Sequence, residues 1–168
     1  MQVYEGIFFT VQRESVQLPN GKSAWREFIG KRNASAIVPI LPSGEVILVR
    51  QYRHAVGEHL LEIPAGVLEE DEQPEHCAAR ELEEETGFKA GVLTPLTTII
   101  PIGGYCNEKI FIFTAENLTK TAQNLDADEF VEIETYSLDV AIEKIYSGEI
   151  TDAKTVAALL MYERNKKQ

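Results

Sequence analysis

Residues 66–88 read GVLEEDEQPEHCAARELEEETGF, and this stretch decides how the rest of the chain is interpreted. Pro74 is a good first-turn residue and Gly87 a good helix stop, so the spacing predicts a helix over 74–86. With successive side chains about 100° apart, three carboxylates share one face of this helix, with an arginine at its edge: Glu81, Glu84, Glu85 and Arg80. Like charges one turn apart destabilise a helix, so something should compensate for them.

The acidic residues of the chain are concentrated around this helix. The 168 residues carry a formal net charge of −11, and residues 58–85 alone hold 11 acidic residues against one basic residue, Arg80. A charge run of this kind indicates either a solvated helix face or a site for a hard cation, which prefers oxygen ligands. The acidic excess argues against non-specific nucleic-acid binding, which needs a basic patch.

Length and composition favour a single folded domain. No apolar run approaches the length that a membrane span requires, and the first residues lack the features of a signal peptide. Cys77 and Cys106 stand singly, without a metal-binding or disulfide pattern, so we expect reduced thiols in a cytoplasmic protein.

The wider pattern predicts strands first, one helix between strands, and helices at the end, which indicates an α+β fold with a mixed sheet. Strands over 3–11 and 23–29 are expected to pair around the Asn20-Gly21 turn. A second hairpin is expected between 34–41 and 45–51. The remaining expected elements are strands over about 92–100, 109–115 and 130–136, a helix over 138–146 capped by Ser137, and a last helix from Asp152 or Thr151 to about residue 165.

The spacing in 66–88 resembles the Nudix box in all nine of its specified positions. They are Gly66, then after five residues Glu72, then after seven residues Arg80-Glu81-Leu82, followed by Glu84-Glu85 and Gly87-Phe88. Such a pattern is far more specific than a lone glycine motif. The resemblance implies a Nudix hydrolase, which splits a nucleoside diphosphate linked to another moiety, on an α/β/α sandwich with a mixed sheet.

The resemblance also implies roles for individual residues. Mg²⁺, with Mn²⁺ as an alternative, would be held by Glu81, Glu84, Glu85 and the carbonyl of Ala65, which we expect in a fixed turn between Pro64 and Gly66. Arg80 would orient the helix glutamates and Glu72 would fix the loop. The alternative for Glu84 is a simple surface pair with Arg80. For the two box glycines, plain turn geometry is the expected role.

Flanking segments are similar to the ADP-ribose pyrophosphatase subfamily: 50–53 (RQYR), 61–66 (LEIPAG) and 100–109 (IPIGGYCNEK). Gly103 departs from that pattern, where a proline is common. The substrate-binding residues expected on this basis are Arg53, Glu62, Trp25, Arg26 and Glu108. Arg53 could instead form a surface ion pair and Trp25 could instead be packing, while Tyr52 is expected in the core.

The catalytic residues expected are Glu129, Glu84 and Arg80. A general base in this subfamily usually stands on a loop after the box, and the acidic loop 124–130 (NLDADEF) is the matching segment. Glu129 is the candidate there, and a solvated acidic turn is the alternative.

The resemblance divides the chain into an N-terminal β region, 1–33, and a Nudix domain, 34–168. Because the N-terminal region usually builds a dimer in this subfamily, a homodimer with shared active sites is expected. The implied reaction is Mg²⁺-dependent hydrolysis of ADP-ribose to AMP and ribose 5-phosphate. The alternatives are another nucleotide sugar, such as GDP-mannose or ADP-glucose, or a sensor that binds ADP-ribose without cleaving it.

Overall fold

A computed structural model describes residues 1–125, 127 and 129–167. The strands are β1 (Gln2–Glu5), β2 (Thr10–Gln17), β3 (Ser23–Gly30), β4 (Ala34–Pro39), β5 (Glu45–Arg53), β6 (Glu58–Glu62), β7 (Ala65–Val67), β8 (Phe88–Lys89), β9 (Val92–Ile99), β10 (Ile110–Glu116), β11 (Thr119–Lys120) and β12 (Val131–Ser137). The helices are α1 (Pro74–Thr86), α2 (Leu138–Tyr146) and α3 (Ala153–Lys166). Among the described residues, no helix is long and apolar enough to cross a membrane.

The strands of the described residues form four sheets. β7-β4-β10-β9 is the central one, in which β4 and β10 run parallel and the other neighbours antiparallel. β12-β5-β6 and the N-terminal β1-β2-β3 are antiparallel, and β8 pairs with β11. The parallel pair within an otherwise antiparallel sheet confirms the mixed α+β class.

The central sheet is covered by helices on both faces. Ala36 and Val38 of β4 pack into a core shared with α2 and α3, whereas Ile37 between them packs against Ala78 and Leu82 of α1. Side chains alternate between the two faces of a strand, and both faces of β4 are covered, so the strand is buried along its whole length, including the polar Ser35. This sandwich places α1 against one end of β4 and next to β7.

Helix ends follow the predicted signals. Gly87 ends α1 in the left-handed conformation, with φ 66°. The Ser137 side chain accepts from the amide of Val140, and Asp152 accepts from the amide of Thr155, so the predicted caps of α2 and α3 are confirmed.

The second predicted hairpin is wrong. β4 and β5 exist, but they belong to different sheets and meet only at a bridge between Ile40 and Val46. Each strand has its hydrogen-bonded partners elsewhere: β4 lies beside β7 and β10, and β5 lies beside β6 and β12. The short turn after β4 therefore connects two different sheets and does not join two hydrogen-bonded strands of one hairpin.

Three smaller expectations also need correction. The strand predicted over 3–11 is interrupted at 6–9, so the partner of β3 is β2. The turn expected around Ala65 is instead the short strand β7, which pairs with β4. Tyr52 is 49% exposed and does not join the core, since it lies near the outer end of β5 beside His59.

Candidate active site

The box helix lies against β7 at a point of very close approach. A Cβ on Gly66 would lie 1.8 Å from Oε1 of Glu81, so no larger residue fits there while Glu81 keeps its position. Sequence reasoning assigned Gly66 mainly a turn role, but its φ is not positive and the close contact is the reason for glycine. Gly87 does have the expected turn role.

Arg80 is the centre of the hydrogen-bond network on α1. Its Nη1 donates to Glu81 at 2.7 Å and to Glu84 at 3.0 Å, and its other two nitrogens donate to Glu72. The Arg80 hydrogen bonds hold the pKa of Glu72 at about 2, well below its usual value. Glu72 also accepts from the amide of Glu69, which joins the loop to the helix. The pairing of Glu84 with Arg80, foreseen as its alternative role, is present.

Glu81 and Glu85 are held where ionisation is unfavourable. Burial raises the pKa of Glu85 to about 8, and the charge of Glu81 adds to this effect, although the amide of Ala65 donates to Glu85 at 3.1 Å. Burial also raises the pKa of Glu81. Two carboxylates in this position favour a nearby cation.

The donor set fits a hard divalent cation. The oxygen ligands available are the carboxylates of Glu81, Glu84 and Glu85, which suit Mg²⁺ or Mn²⁺. Arg80 supplies one positive charge to this face, against three glutamates. Glu81 and Glu84 both accept from Arg80, and Glu85 accepts from the amide of Ala65. Among the described residues, no three His, Cys, Asp or Glu side chains are already grouped as metal ligands.

A cleft of about 400 Å³ opens beside β7 and contains most of the predicted substrate-binding residues. Arg53, at the end of β5, forms a two-pronged ion pair with Glu62, with both hydrogen bonds at 2.7 Å. Glu108 also lines the cleft and pairs with Lys31 at 2.7 Å. The structure therefore brings Arg53, Glu62 and Glu108 together near Gly66.

Trp25 and Arg26 lie elsewhere. Both are on β3, Trp25 is 64% exposed, and neither is among the described residues that line this cleft. Trp25 is thus not a packing residue within one chain, the role that a lone tryptophan in a strand more often has.

Gln123 and Asn124, where the acidic segment 124–130 begins, are hydrogen-bonded to the end of α1. Gln123 donates to the carbonyl of Glu85 at 2.7 Å, and the amide of Asn124 donates to the carbonyl of Glu84 at 2.9 Å. Glu129 lies close enough for its charge to raise the pKa of both Glu81 and Glu85. Asp126 and Asp128 of this loop lie outside the described residues.

Sequence reasoning missed Lys154 and the second role of Asp152. Lys154 is buried at the start of α3, where it contacts Glu62 and Asp152 at the edge of the cleft. Asp152 was expected only as a helix cap. Nothing in the local sequence distinguishes Lys154 from a surface lysine, because its partner Glu62 is 92 residues away.

Comparisons with known proteins agree with this geometry. The family model described as NUDIX domain matches residues 30–159. The chain is 39% identical to the ADP-ribose pyrophosphatase of Bacillus subtilis (strain 168) and 37% identical to the methanol dehydrogenase activator of Bacillus methanolicus, each over 94% of this chain and 86% of the relative. A crystal structure of an ADP compounds hydrolase superposes with a TM-score of 0.89 at 27% identity, covering 99% of this chain and 91% of the other.

Proposed function

Because this chain belongs to the NUDIX domain family, we propose that it hydrolyses the pyrophosphate bond of ADP-ribose, giving AMP and ribose 5-phosphate. The proposal depends on one observation. Gly66 lies against Glu81 on the acidic face of α1, and it also lines the cleft that contains Arg53. A cation site beside a guanidinium suits a pyrophosphate, whose charge needs both. The similarity to an ADP-ribose pyrophosphatase over nearly the whole chain supports ADP-ribose as the substrate.

The residues proposed to hold the metal are Glu81, Glu84, Glu85 and the carbonyl of Ala65. Mg²⁺ bound there would withdraw charge from the phosphate oxygens and acidify a water. Arg80 fixes the position of Glu81 relative to Glu84, since one of its nitrogens donates a hydrogen bond to each of them.

The rest of the reaction depends on side chains around the cleft. Arg53 donates hydrogen bonds to the pyrophosphate, and Glu129, whose charge acts on Glu81 and Glu85, removes a proton from the attacking water. Water attacks one phosphorus, the bond between that phosphorus and the bridging oxygen breaks, and the second phosphate leaves. Glu108, which also lines the cleft, is proposed to contact the sugar.

We also propose that the protein is a homodimer assembled through an N-terminal region, residues 1–33, that is distinct from the Nudix domain, 34–168. Ile7 is 94% exposed and Phe8 79% exposed, and Met1, Val3 and Tyr4 are exposed beside them. Apolar patches of this kind commonly mark interfaces. Trp25 and Arg26 would then reach the substrate from the partner. The compartment proposed is the cytoplasm, where the free thiols of Cys77 and Cys106 stay reduced.

The proposal is tested with a substrate panel. Purified protein is incubated with ADP-ribose, ADP-glucose or GDP-mannose, each with Mg²⁺, with Mn²⁺ and with EDTA, and the nucleotide products are separated by ion-exchange chromatography. The expected result is AMP from ADP-ribose with the highest kcat/KM, and no product in EDTA. Faster release of GMP from GDP-mannose would show that GDP-mannose, and not ADP-ribose, is the preferred substrate. Binding of ADP-ribose without any product would indicate a sensor.

A further inference from the structure

Lys154 is a buried cation that the reaction described above does not use. It is 8% exposed, and its ammonium group contacts the carboxylates of Glu62 and Asp152, the latter at 3.0 Å. Burying a lysine requires compensation, since its side chain loses both hydration and rotamer freedom. Because Lys154 lies at the edge of the cleft, its charge can influence an anionic substrate there.

One carboxylate is shared between Lys154 and Arg53. Glu62 is 1% exposed, its Oε1 accepts from Nε of Arg53, and its Oε2 accepts from both Nη2 of Arg53 and Nζ of Lys154. Burial alone would raise the pKa of Glu62, but the Arg53 hydrogen bonds and the Lys154 charge outweigh it and the pKa is lowered. Glu62 is therefore an anion lying between two cations.

Arg53 lies between Glu62, to which it is hydrogen-bonded, and the glutamates of α1. The hydrogen bonds to Glu62 use Nε and Nη2, along one edge of the guanidinium. The side chain is still 37% exposed and lines the cleft, and it is near enough to Glu85 to interact with its charge. An arginine neutralised by its own carboxylate would attract an anion weakly, so the second cation on Glu62 matters.

The charge balance of this cluster depends on Lys154. With Asp152 included, the cluster contains two cations and two carboxylates and is neutral overall. The Asp152 carboxylate also caps α3, where it accepts from the amide and the hydroxyl of Thr155. Without Lys154 the cluster would carry a net negative charge and oppose an anionic substrate.

We propose that Lys154 is a positioning residue for substrate binding, which neutralises Glu62 so that Arg53 stays fixed by that carboxylate and still attracts the pyrophosphate. The inference rests on the proposed function. It assigns a role in binding to the first turn of α3, which is distant in sequence from the box. Lys154 acts through Arg53 and need not touch the substrate.

A purely structural role for Lys154 is the competing explanation, and the chain offers a control for it. Thr155 accepts from the amide of Ile63 at 2.9 Å, which ties the same turn of α3 to the end of β6 without adding charge. Thr155→Val breaks that tie and also removes the hydroxyl's hydrogen bond to Asp152, but it adds or removes no charge in the cleft. If Lys154 only holds α3 in place, substitutions of Lys154 and of Thr155 should have the same effect on stability and on KM.

The test compares Lys154→Met, Lys154→Arg and Thr155→Val with the wild type in steady-state hydrolysis of ADP-ribose with Mg²⁺. For Lys154→Met we expect KM to rise about tenfold, as for the loss of one charge beside an anion site, and kcat to stay within about twofold. Lys154→Arg should restore most of the loss. Thr155→Val should lower the melting temperature but change KM by less than about twofold. An unchanged KM in Lys154→Met, or no rescue by arginine, would overturn the inference.

Equilibrium binding separates this inference from the proposed function. ADP-ribose is titrated in EDTA into the wild type and into Lys154→Met, with folding of each verified by circular dichroism, and we expect about tenfold weaker binding in the variant. Equal affinity overturns the role of Lys154 whether or not the protein is a hydrolase. Wild-type protein that binds ADP-ribose in EDTA but releases no AMP with Mg²⁺ would overturn the proposed function alone. For a Lys154→Met protein that does not fold, the Lys154→Gln variant takes its place in both measurements.

Discussion

Arg80 holds Glu72 through two parallel hydrogen bonds of 3.0 Å, from Nε and Nη2 to the two carboxylate oxygens. The two residues are eight positions apart, so this pair joins the loop before α1 to the middle of the helix. The remaining nitrogen, Nη1, is left for Glu81 and Glu84. A single planar guanidinium thus connects the loop to the proposed metal ligands, a geometry that an ammonium group cannot reproduce.

We therefore expect Arg80→Lys to impair both stability and activity. Lysine keeps the charge but cannot serve Glu72 and two helix glutamates at once, so the free energy of unfolding should fall by about 1–3 kcal/mol. The activity should fall about 10- to 100-fold, as for residues that orient metal ligands. Urea unfolding and AMP release measure the two effects. Wild-type kcat/KM in Arg80→Lys would show that the network does not position the glutamates.

Gly66→Ala is expected to abolish most activity through Glu81. The new Cβ would overlap the Glu81 carboxylate, which must move, and a displacement of about 1 Å at a reacting centre lowers rates about a hundredfold. Gly148→Ala is the matched control, because Gly148 has a positive φ of 81° and no neighbour within 4 Å of a Cβ. It should lose stability without losing kcat. Equal activity of the two variants would contradict the close-contact explanation.

Glu85→Gln is expected to bind ADP-ribose but to hydrolyse it at least about a hundredfold more slowly, because it removes one proposed metal ligand. Mg²⁺ should also stabilise the variant less than the wild type in thermal melts, since a ligand that binds the native state raises its stability. Glu83→Gln on the same helix is the control, because side chains about 100° apart along a helix place Glu83 on the far side of α1 from Glu81, Glu84 and Glu85. Full activity in Glu85→Gln would refute the metal assignment.

Local signals were sufficient for much of the molecule. The start and end of α1, the caps of α2 and α3, and the helix face shared by Glu81, Glu84 and Glu85 all depend on residues within a few positions of one another. Pairing of strands depends on contacts across the chain, which explains why β4 and β5 were expected to form a hairpin. Lys154 was missed for the same reason, since its significance comes from Glu62 and Arg53, both far away in sequence. Gly66 was found, but only the structure supplied its steric reason.

The stability of the protein at acid pH should depend on Glu72. Its pKa is lowered to about 2 by Arg80, against an ordinary value of 4.5, so the unfolded state binds more protons as the pH falls through this range. The contribution of Glu72 is therefore fully present above about pH 4.5 and is lost towards pH 2. At pH 6.5 we expect the free energy of unfolding of Glu72→Gln to be about 1–2 kcal/mol lower than that of the wild type. This difference should be smaller at pH 3.

Chemical unfolding at several pH values measures this difference. Glu70→Gln serves as the control, because Glu70 is exposed in the same loop. Its effect on the free energy of unfolding should be small and independent of pH. A gap between Glu72→Gln and the wild type that stays constant from pH 6.5 to pH 3 would contradict the ion-pair explanation.

The N-terminal strands are proposed to form the dimer interface. Because Ile7 and Phe8 are almost fully exposed in the single chain, the double variant Ile7→Asp with Phe8→Asp should prevent dimerisation while leaving the Nudix domain folded. Light scattering should give twice the 18.8 kDa chain mass for the wild type and the single mass for the variant. Tyr146→Asp, at an equally exposed position on α2, is the control and should remain dimeric.

Activity measurements on the same proteins connect assembly to binding. Trp25 and Arg26 do not line the cleft of their own chain, so if they contact ADP-ribose they must reach it from the partner. The monomeric variant should then show a raised KM with little change in kcat, since the proposed metal ligands stay on one chain. A wild type with the mass of one chain would contradict the dimer. A monomeric variant with unchanged KM would instead remove Trp25 and Arg26 from the substrate site.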